Sequence, residues 1–158
     1  MDKIKLGKDS EGKRWIATVD EKEYAGWNLF TFDCFESSAP AELRRYSYGI
    51  AIITTEPDEL AKLHFIRVDR MKRNTGLGRM LLISTEEYIA RMGIRKIWGE
   101  ISNDPDLYQD DFPTLEDYLE NIRTFYTRNG WSFVLYGNIE PDNPYIIVKV
   151  EKVLKQME

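Results

Sequence analysis

The strongest constraint on the fold is a helical pattern that runs from Leu77 to Met92. Apolar residues repeat there at helical spacing. They are Leu77, Leu81, Tyr88 and Met92 on one stripe, with Leu82 and Ile89 beside it. Gly93 follows at a position where helices often end in a left-handed residue. Because a helix with one apolar stripe must bury it against another element, we expect this helix to pack on a sheet.

Short runs rich in β-branched and aromatic residues surround this helix and predict strands. The runs cover residues 14–19, 24–32, 46–54, 63–68, 94–101, 131–136 and 145–150. Polar residues predict turns at 20–23 and at 56–59. Ser38 to Glu42 could begin a short helix. A longer helix is predicted from the cap residue Thr114 to the stop at Asn129 and Gly130. The order indicates an α/β chain of the mixed α+β kind, in which helices flank a sheet.

Composition narrows the class of protein. The chain has 158 residues, which predicts a single domain over residues 1–158. Hydrophobic residues make up 42% of the chain, so it is not a disordered sequence. Apolar runs such as 49–53 are too short to cross a bilayer, and no apolar stretch follows the first five residues. Cys34 is the only cysteine, which excludes an internal disulfide. We therefore predict a soluble, cytoplasmic protein without a membrane contact.

Charge is distributed unevenly along the chain. The formal net charge is -5 and no long basic run occurs, so we predict no nucleic-acid partner. One stretch is basic: Arg67, Arg70, Lys72, Arg73 and Arg79, against the single acid Asp69. Another stretch is acidic: Asp104, Asp106, Asp110, Asp111, Glu116, Asp117 and Glu120. The first can attract an anion and the second a cation, although both could also be ordinary solvated surfaces.

A glycine pair, Gly76 and Gly78, lies between a predicted strand and the first long helix. Glycine allows a ligand to approach the main chain, and the first turn of a helix carries unpaired N–H groups that attract anions. A plain turn is the alternative interpretation. The Walker-type loop is absent. A dinucleotide site would need a third glycine where Leu81 stands, although Glu100 occupies the position of a ribose-binding acid, so this alternative stays open.

Two motifs resemble those of the GNAT superfamily of N-acetyltransferases. Val68 to Gly78 is similar to its acyl-CoA-binding motif, which reads Arg or Gln, two residues, Gly, one residue, then Gly or Ala. Residues 125–131, Phe-Tyr-Thr-Arg-Asn-Gly-Trp, look like the aromatic signature that ends the last long helix of the family. The resemblance covers about residues 46–150. Residues 1–45 read as strands where the family has two helices, and Leu119 stands where it often has Asn.

The resemblance implies a GNAT-like, mostly antiparallel mixed sheet flanked by helices, with an atypical strand-rich N-terminus. It also implies acetyl transfer from acetyl-CoA to a primary amine by direct attack in a ternary complex. The implied residues of the CoA site are Ile66, Val68, Arg73, Asn74, Thr75, Gly76, Leu77, Gly78 and Arg79. In the family, the main chain of one strand pairs with the pantetheine arm and polarises the thioester. The corresponding strand here holds Ile66 and Val68.

The resemblance makes Tyr126 the general acid, whereas helical spacing alone would make it a core residue. Candidates for the base are His64, Glu100 and a chain of water molecules. We predict no metal, because the acids near Asp104 do not match a calcium loop. The acidic segment Asp104 to Asp111 is predicted to attract a cationic amine substrate. The sequence leaves open whether the protein forms a homodimer. The alternative function is that of a catalytically degenerate module that binds or senses acyl-CoA.

Overall fold

The computed structural model describes residues 2–40, 47–102, 110–135 and 147–155. The chain divides into two compact units. The first comprises Met1–Ile97 and Leu154–Glu158, and the second comprises Trp98–Val153. Within the described ranges, neither α-helix is long and apolar enough to cross a membrane.

The first unit contains five consecutive antiparallel strands. They are β1 (Asp2–Lys8), β2 (Arg14–Tyr24), β3 (Trp27–Glu36), β4 (Gly49–Glu56) and β5 (Leu60–Val68). A short 3-10 helix (Arg70–Lys72) and the helix α1 (Leu77–Ala90) follow β5. The next strand, β6 (Lys96–Ile101), begins in this unit and ends in the second. The predicted mixed, mostly antiparallel fold with a strand-rich N-terminus is therefore confirmed.

Helix α1 packs on one face of the sheet, as its apolar stripe predicts. Its side chains Leu77, Leu81, Leu82 and Ile89 are fully buried. The ring of Tyr88 meets Phe32 edge-on at 5.5 Å between centroids. Met92 does not continue the stripe: its side chain is 44% exposed, because the helix ends at Ala90 and Gly93 turns the chain with a φ of 88°.

The predicted turn at residues 20–23 is wrong. Strand β2 continues to Tyr24, and the turn lies at Ala25 and Gly26. The charged side chains of residues 21–23 are exposed, so the strand extends past them without burying charge. Tyr24 stacks on Trp27 at 4.2 Å across the turn, which adds a cross-strand contact where the hairpin closes. Sequence reasoning also missed β1.

The second unit contains the end of β6, helix α2 (Leu115–Arg128), β7 (Ser132–Leu135) and β8 (Val148–Val153). Its strands lie in the order β6, β8, β7, and β7 pairs antiparallel with β8. Thr114 caps α2 as predicted, since its side chain accepts a hydrogen bond from the N–H of Asp117 at 3.1 Å. Residues 41 and 42 of the predicted short helix and residues 104–109 of the acidic segment lie outside the described residues.

Candidate functional site

The segment after β5 is folded by its own side chains. The Asp69 carboxylate accepts a hydrogen bond from the N–H of Met71 at 2.9 Å and caps the 3-10 helix. The Nε of Arg73 donates to the carbonyl oxygen of Val68 at 3.2 Å. These two contacts turn the chain from the strand toward α1, and they direct the Arg73 side chain back onto the main chain.

The glycine loop itself needs left-handed backbone. Asn74 has a φ of 63° and Gly76 a φ of 89°. Between them Thr75 is buried, and its hydroxyl donates to the carbonyl oxygen of Lys72 at 2.7 Å. A Cβ at Gly76 would meet no atom within 4 Å. A side chain there would therefore be strained by its backbone angle and would fill space that is open above the main chain.

The first turn of α1 has the features of an anion site. Gly76 is its N-cap residue and makes no side-chain capping bond, and no acidic residue lies in the first turn. The first main-chain hydrogen bond of this helix runs from the N–H of Met80 to the carbonyl oxygen of Gly76 at 3.0 Å. The N–H groups before it have no partner within the helix, and the helix dipole favours negative charge here.

The basic residues predicted around this loop differ in whether they pair with other residues or face solvent. The Nζ of Lys72 lies 3.7 Å from the Glu36 carboxylate and sits over the rings of Trp15 and Tyr48, at 5.9 and 5.6 Å. The Lys72 side chain therefore packs against residues of the sheet. Arg79, in contrast, is exposed in the first turn of α1. The positive charge that faces solvent near the loop comes from fewer residues than the sequence indicated.

A β-bulge at His64 shapes the strand that leads to the loop. Ile53 pairs with Leu63 and Ile52 with Phe65, so His64 is the extra residue. Before the bulge, odd-numbered residues of β5 such as Leu63 are buried. After it, the even-numbered Ile66 and Val68 are half-buried and the odd-numbered residues are exposed. The bulge thus sets which side chains of the proposed pantetheine strand face inward.

His64 itself is exposed and lies beside Thr54, with 2.6 Å between its Nε2 and the Thr54 hydroxyl. Desolvation by neighbouring atoms lowers the pKa of the imidazole, and the charge of Lys62 lowers it further, against the opposing effect of Glu56. The imidazole is therefore mainly neutral at neutral pH, which is the form that can accept a proton.

Tyr126 lies at the end of α2, where the chain makes a Schellman turn. Gly130 has a φ of 83°, and the N–H of Trp131 donates to the Tyr126 carbonyl at 3.0 Å. This turn folds the Trp131 ring onto the Tyr126 ring at 5.2 Å. The aromatic signature in the sequence therefore has a physical basis: glycine permits the turn, and the two aromatic rings pack across it.

The two residues of the aromatic pair differ in burial. Phe125 is half-buried, whereas Tyr126 is buried, as its helical spacing predicts. Burial raises the pKa of Tyr126, and the neighbouring Tyr118 adds to the rise. Tyr126 therefore keeps its proton throughout the neutral range.

The remaining predicted site residues divide between the units. His64 and residues 66–79 belong to the first unit, while Tyr126 and Glu100 belong to the second, where Glu100 is half-buried on β6. Sequence reasoning missed Ser10, whose N–H donates to the carbonyl of Thr75 in the glycine loop at 2.9 Å. The Asp9-Ser10-Glu11-Gly12 run is a turn signal that could have revealed this hairpin loop.

Comparison with known proteins identifies the fold. No protein-family profile matches the sequence, and no curated protein matches it. Solved acetyltransferase structures do match. A GNAT-family acetyltransferase from Staphylococcus aureus is 15% identical, with a TM-score of 0.57 over 80% of this chain and 69% of that chain. A GNAT-family acetyltransferase from Streptococcus pneumoniae is 17% identical, with a TM-score of 0.54 over 80% of this chain and 67% of that chain.

A third matching structure belongs to an enzyme whose acceptor is known. A ribosomal-protein alanine N-acetyltransferase from Escherichia coli is 14% identical, with a TM-score of 0.54 over 86% of this chain and 74% of that chain. At such identities the likeness concerns the fold. Together with the strand order and the glycine loop before α1, it shows that this chain has the fold of the GNAT-family acetyltransferases.

Proposed function

We propose that this protein is an N-acetyltransferase that moves the acetyl group of acetyl-CoA to a primary amine. The observation that carries the proposal is the loop at Gly76: left-handed backbone, open space above the main chain and an uncapped helix N-terminus. These features occur at the position of the acyl-CoA motif, in a chain with the acetyltransferase fold. A pyrophosphate would receive main-chain N–H groups there without needing to displace a side chain.

The proposed reaction is direct attack in a ternary complex. The amine nitrogen bonds to the thioester carbonyl carbon, the carbon–sulfur bond breaks, and CoA leaves as its thiol. An alkylammonium has a pKa near 10, so it must first lose a proton. His64 is a candidate for accepting it, because its imidazole is neutral at neutral pH. Glu100 and a water chain remain the other candidates. The main chain at Ile66 and Val68 would hold the pantetheine arm.

Tyr126 is the proposed donor to the departing sulfur. Its pKa is raised above the usual value near 10, whereas a thiol has a pKa of about 8.5. Complete proton transfer from Tyr126 to the thiolate is therefore uphill. The physical chemistry favours a hydrogen bond from Tyr126 that stabilises the developing charge on sulfur, while the proton of the thiol comes from the nitrogen that has attacked the carbonyl carbon.

The acceptor is proposed to be cationic before it is deprotonated. Asp110, which is exposed, and Asp111, which is half-buried, are the two described residues of the acidic segment. Carboxylates at the surface raise the local concentration of a cationic amine. We also propose that residues 1–158 act as one domain in the cytoplasm, where the single buried thiol of Cys34 would stay reduced.

An amine panel tests the proposal. Acetyl-CoA is incubated with polyamines, aminoglycosides, amino acids and peptides, and thiol release is followed for each. Acceleration by at least one amine above acetyl-CoA hydrolysis is the expected result. CoA binding without turnover by any amine would instead favour the degenerate binding module, which the Leu119 position also favours. A protein that does not bind CoA would refute both.

A further inference from the structure

The N-terminal hairpin loop contacts the glycine loop directly. The N–H of Ser10, between β1 and β2, donates to the carbonyl oxygen of Thr75 at 2.9 Å. Nearby, a Cβ added at Gly7 would lie 3.5 Å from the sulfur of Met80 in α1. The strand-rich N-terminus, which departs from the family pattern, is therefore in contact with the segment proposed to bind the pyrophosphate.

The hairpin loop is held in one conformation by Asp9. Its carboxylate accepts hydrogen bonds from the N–H of Glu11 at 2.9 Å and of Lys13 at 3.0 Å. Its second oxygen accepts from the Nε1 of Trp15 at 2.8 Å. Asp9 is only 8% exposed and Trp15 is 1% exposed. The loop that presents Ser10 is thus joined to the core of the sheet.

A second set of contacts joins the same core to the glycine loop. Lys72 lies over the Trp15 ring and near Glu36, which also pairs with Lys13 at 3.4 Å. The carbonyl of Lys72 accepts the hydroxyl of Thr75. Both ends of the Thr75 residue are therefore fixed: its side chain by Lys72 and its carbonyl by Ser10.

Peptide geometry gives the contact a consequence for the ligand. The carbonyl of Thr75 and the N–H of Gly76 belong to one planar trans peptide, so they point in opposite directions. A donor that fixes the Thr75 carbonyl also fixes the direction of the Gly76 N–H. We propose that Ser10 and Asp9 are positioning residues for the acyl donor, because they hold the Gly76 N–H toward the pyrophosphate. This inference rests on the proposed function.

The main-chain contact can be removed at Ser10. Ser10→Pro deletes the N–H donor, whereas Ser10→Ala keeps it and serves as the control. One neutral hydrogen bond is worth about 0.5–1.5 kcal/mol, so Ser10→Pro should weaken CoA binding about two- to twelvefold by calorimetry. Ser10→Ala should bind CoA as the wild type does. At saturating acetyl-CoA, kcat should be unchanged, because the bond does not act on the chemical step.

A donor without the pyrophosphate separates positioning from general destabilisation. S-acetylpantetheine should show the same kcat/KM with Ser10→Pro and with wild type. A loss with both donors, accompanied by a lower Tm, would mean that the hairpin is only structural and would overturn the proposal. Equal CoA affinity in Ser10→Pro and Ser10→Ala would also overturn it. Failure of the wild type to bind CoA would refute the proposed function itself, which is a different outcome.

Asp9→Asn provides a variant that leaves the main chain unchanged if Ser10→Pro does not fold. Its side-chain oxygen can still accept from Glu11 and Lys13, but its amide group cannot accept from Trp15. We expect a smaller weakening of CoA binding, about two- to fivefold, and faster amide hydrogen exchange in residues 74–80. Wild-type affinity and exchange in Asp9→Asn would contradict the proposal.

Discussion

At the scale of single residues, the backbone of Gly76 allows a matched experiment. Gly76 and Gly93 lie at opposite ends of α1, have φ values of 89° and 88°, and each has open space where a Cβ would be. Valine at either position should cost a similar free energy of unfolding, about 1–3 kcal/mol. Only Gly76→Val should abolish CoA binding, because its side chain fills the pyrophosphate position. Calorimetry with CoA and thermal denaturation measure both effects, and equal affinity in the two variants would contradict the assignment.

Tyr126→Phe tests the donor to sulfur. General acid catalysis is typically worth about 10²–10⁴-fold, and the raised pKa of Tyr126 places its contribution near or below the lower end of that range. We expect kcat to fall by about 10²-fold or less, with acetyl-CoA affinity and Tm nearly preserved. Steady-state kinetics with the best amine provides the measurement. A wild-type rate, with or without a lower Tm, would make Tyr126 a core residue only.

The pH dependence of kcat/KM tests His64. Its neutral form is the base, and its pKa in the free protein is lowered from the reference value, so the acidic fall in kcat/KM should have a midpoint below about 6.5. His64→Gln should remove this limb and lower the plateau. Thr54→Val, which removes the hydroxyl beside Nε2 but keeps the side-chain shape, should shift the midpoint without removing the limb. An identical profile in His64→Gln would leave Glu100 and water as the candidates.

At the scale of elements, the capping of α2 should control its stability. Thr114→Ala removes the acceptor for the Asp117 N–H and should lower the free energy of unfolding by about 1 kcal/mol. Thr114→Ser keeps that acceptor and should be nearly neutral. Urea denaturation measures the difference. Equal stability of the two variants would show that the hydrogen bond contributes nothing to the fold.

The elements differ in how well the sequence predicts them. Both long helices have a glycine stop, at Gly93 and Gly130, and their ends could be located within two residues. The hairpin between β2 and β3 could not, because exposed charges at residues 21–23 resemble a turn although a strand can carry them at its surface. Strand β1 alternates lysine with apolar residues, a period of two that was available in the sequence.

The site is less predictable than the fold for a physical reason. The glycine loop is local, so its left-handed residues and its helix follow from neighbouring residues. The contact of Ser10 with Thr75 joins residues that are far apart in sequence, and no local pattern encodes such a pairing. The contacts of Lys72 with Glu36 and Trp15 are likewise tertiary. The basic residues near the loop could therefore be counted from the sequence, but the sequence does not say which of them face solvent.

At the scale of the whole molecule, charge should influence substrate capture. The net charge is -5, so a cationic amine is attracted over about 8–10 Å at physiological salt. Replacing Asp110 and Asp111 together by Asn should raise KM for the amine and leave KM for acetyl-CoA unchanged. Kinetics at several salt concentrations should show a smaller difference between the variant and wild type as salt rises. Amine kinetics that respond neither to salt nor to the double variant would remove the acidic segment from the mechanism.

The bulge at His64 has a further consequence for how β5 tolerates change in chain length. A deletion of this one residue would restore regular pairing with β4, because Phe65 already pairs with Ile52 and Ile66 with Ala51. Ile66 and Val68 would keep their inward positions, and Phe65 and Arg67 would stay outward. A strand that kept His64 but lost the bulge would instead turn Phe65 and Arg67 inward, and burying the Arg67 guanidinium is costly. We therefore expect the packing of β5 to tolerate the loss of this residue better than the loss of the bulge.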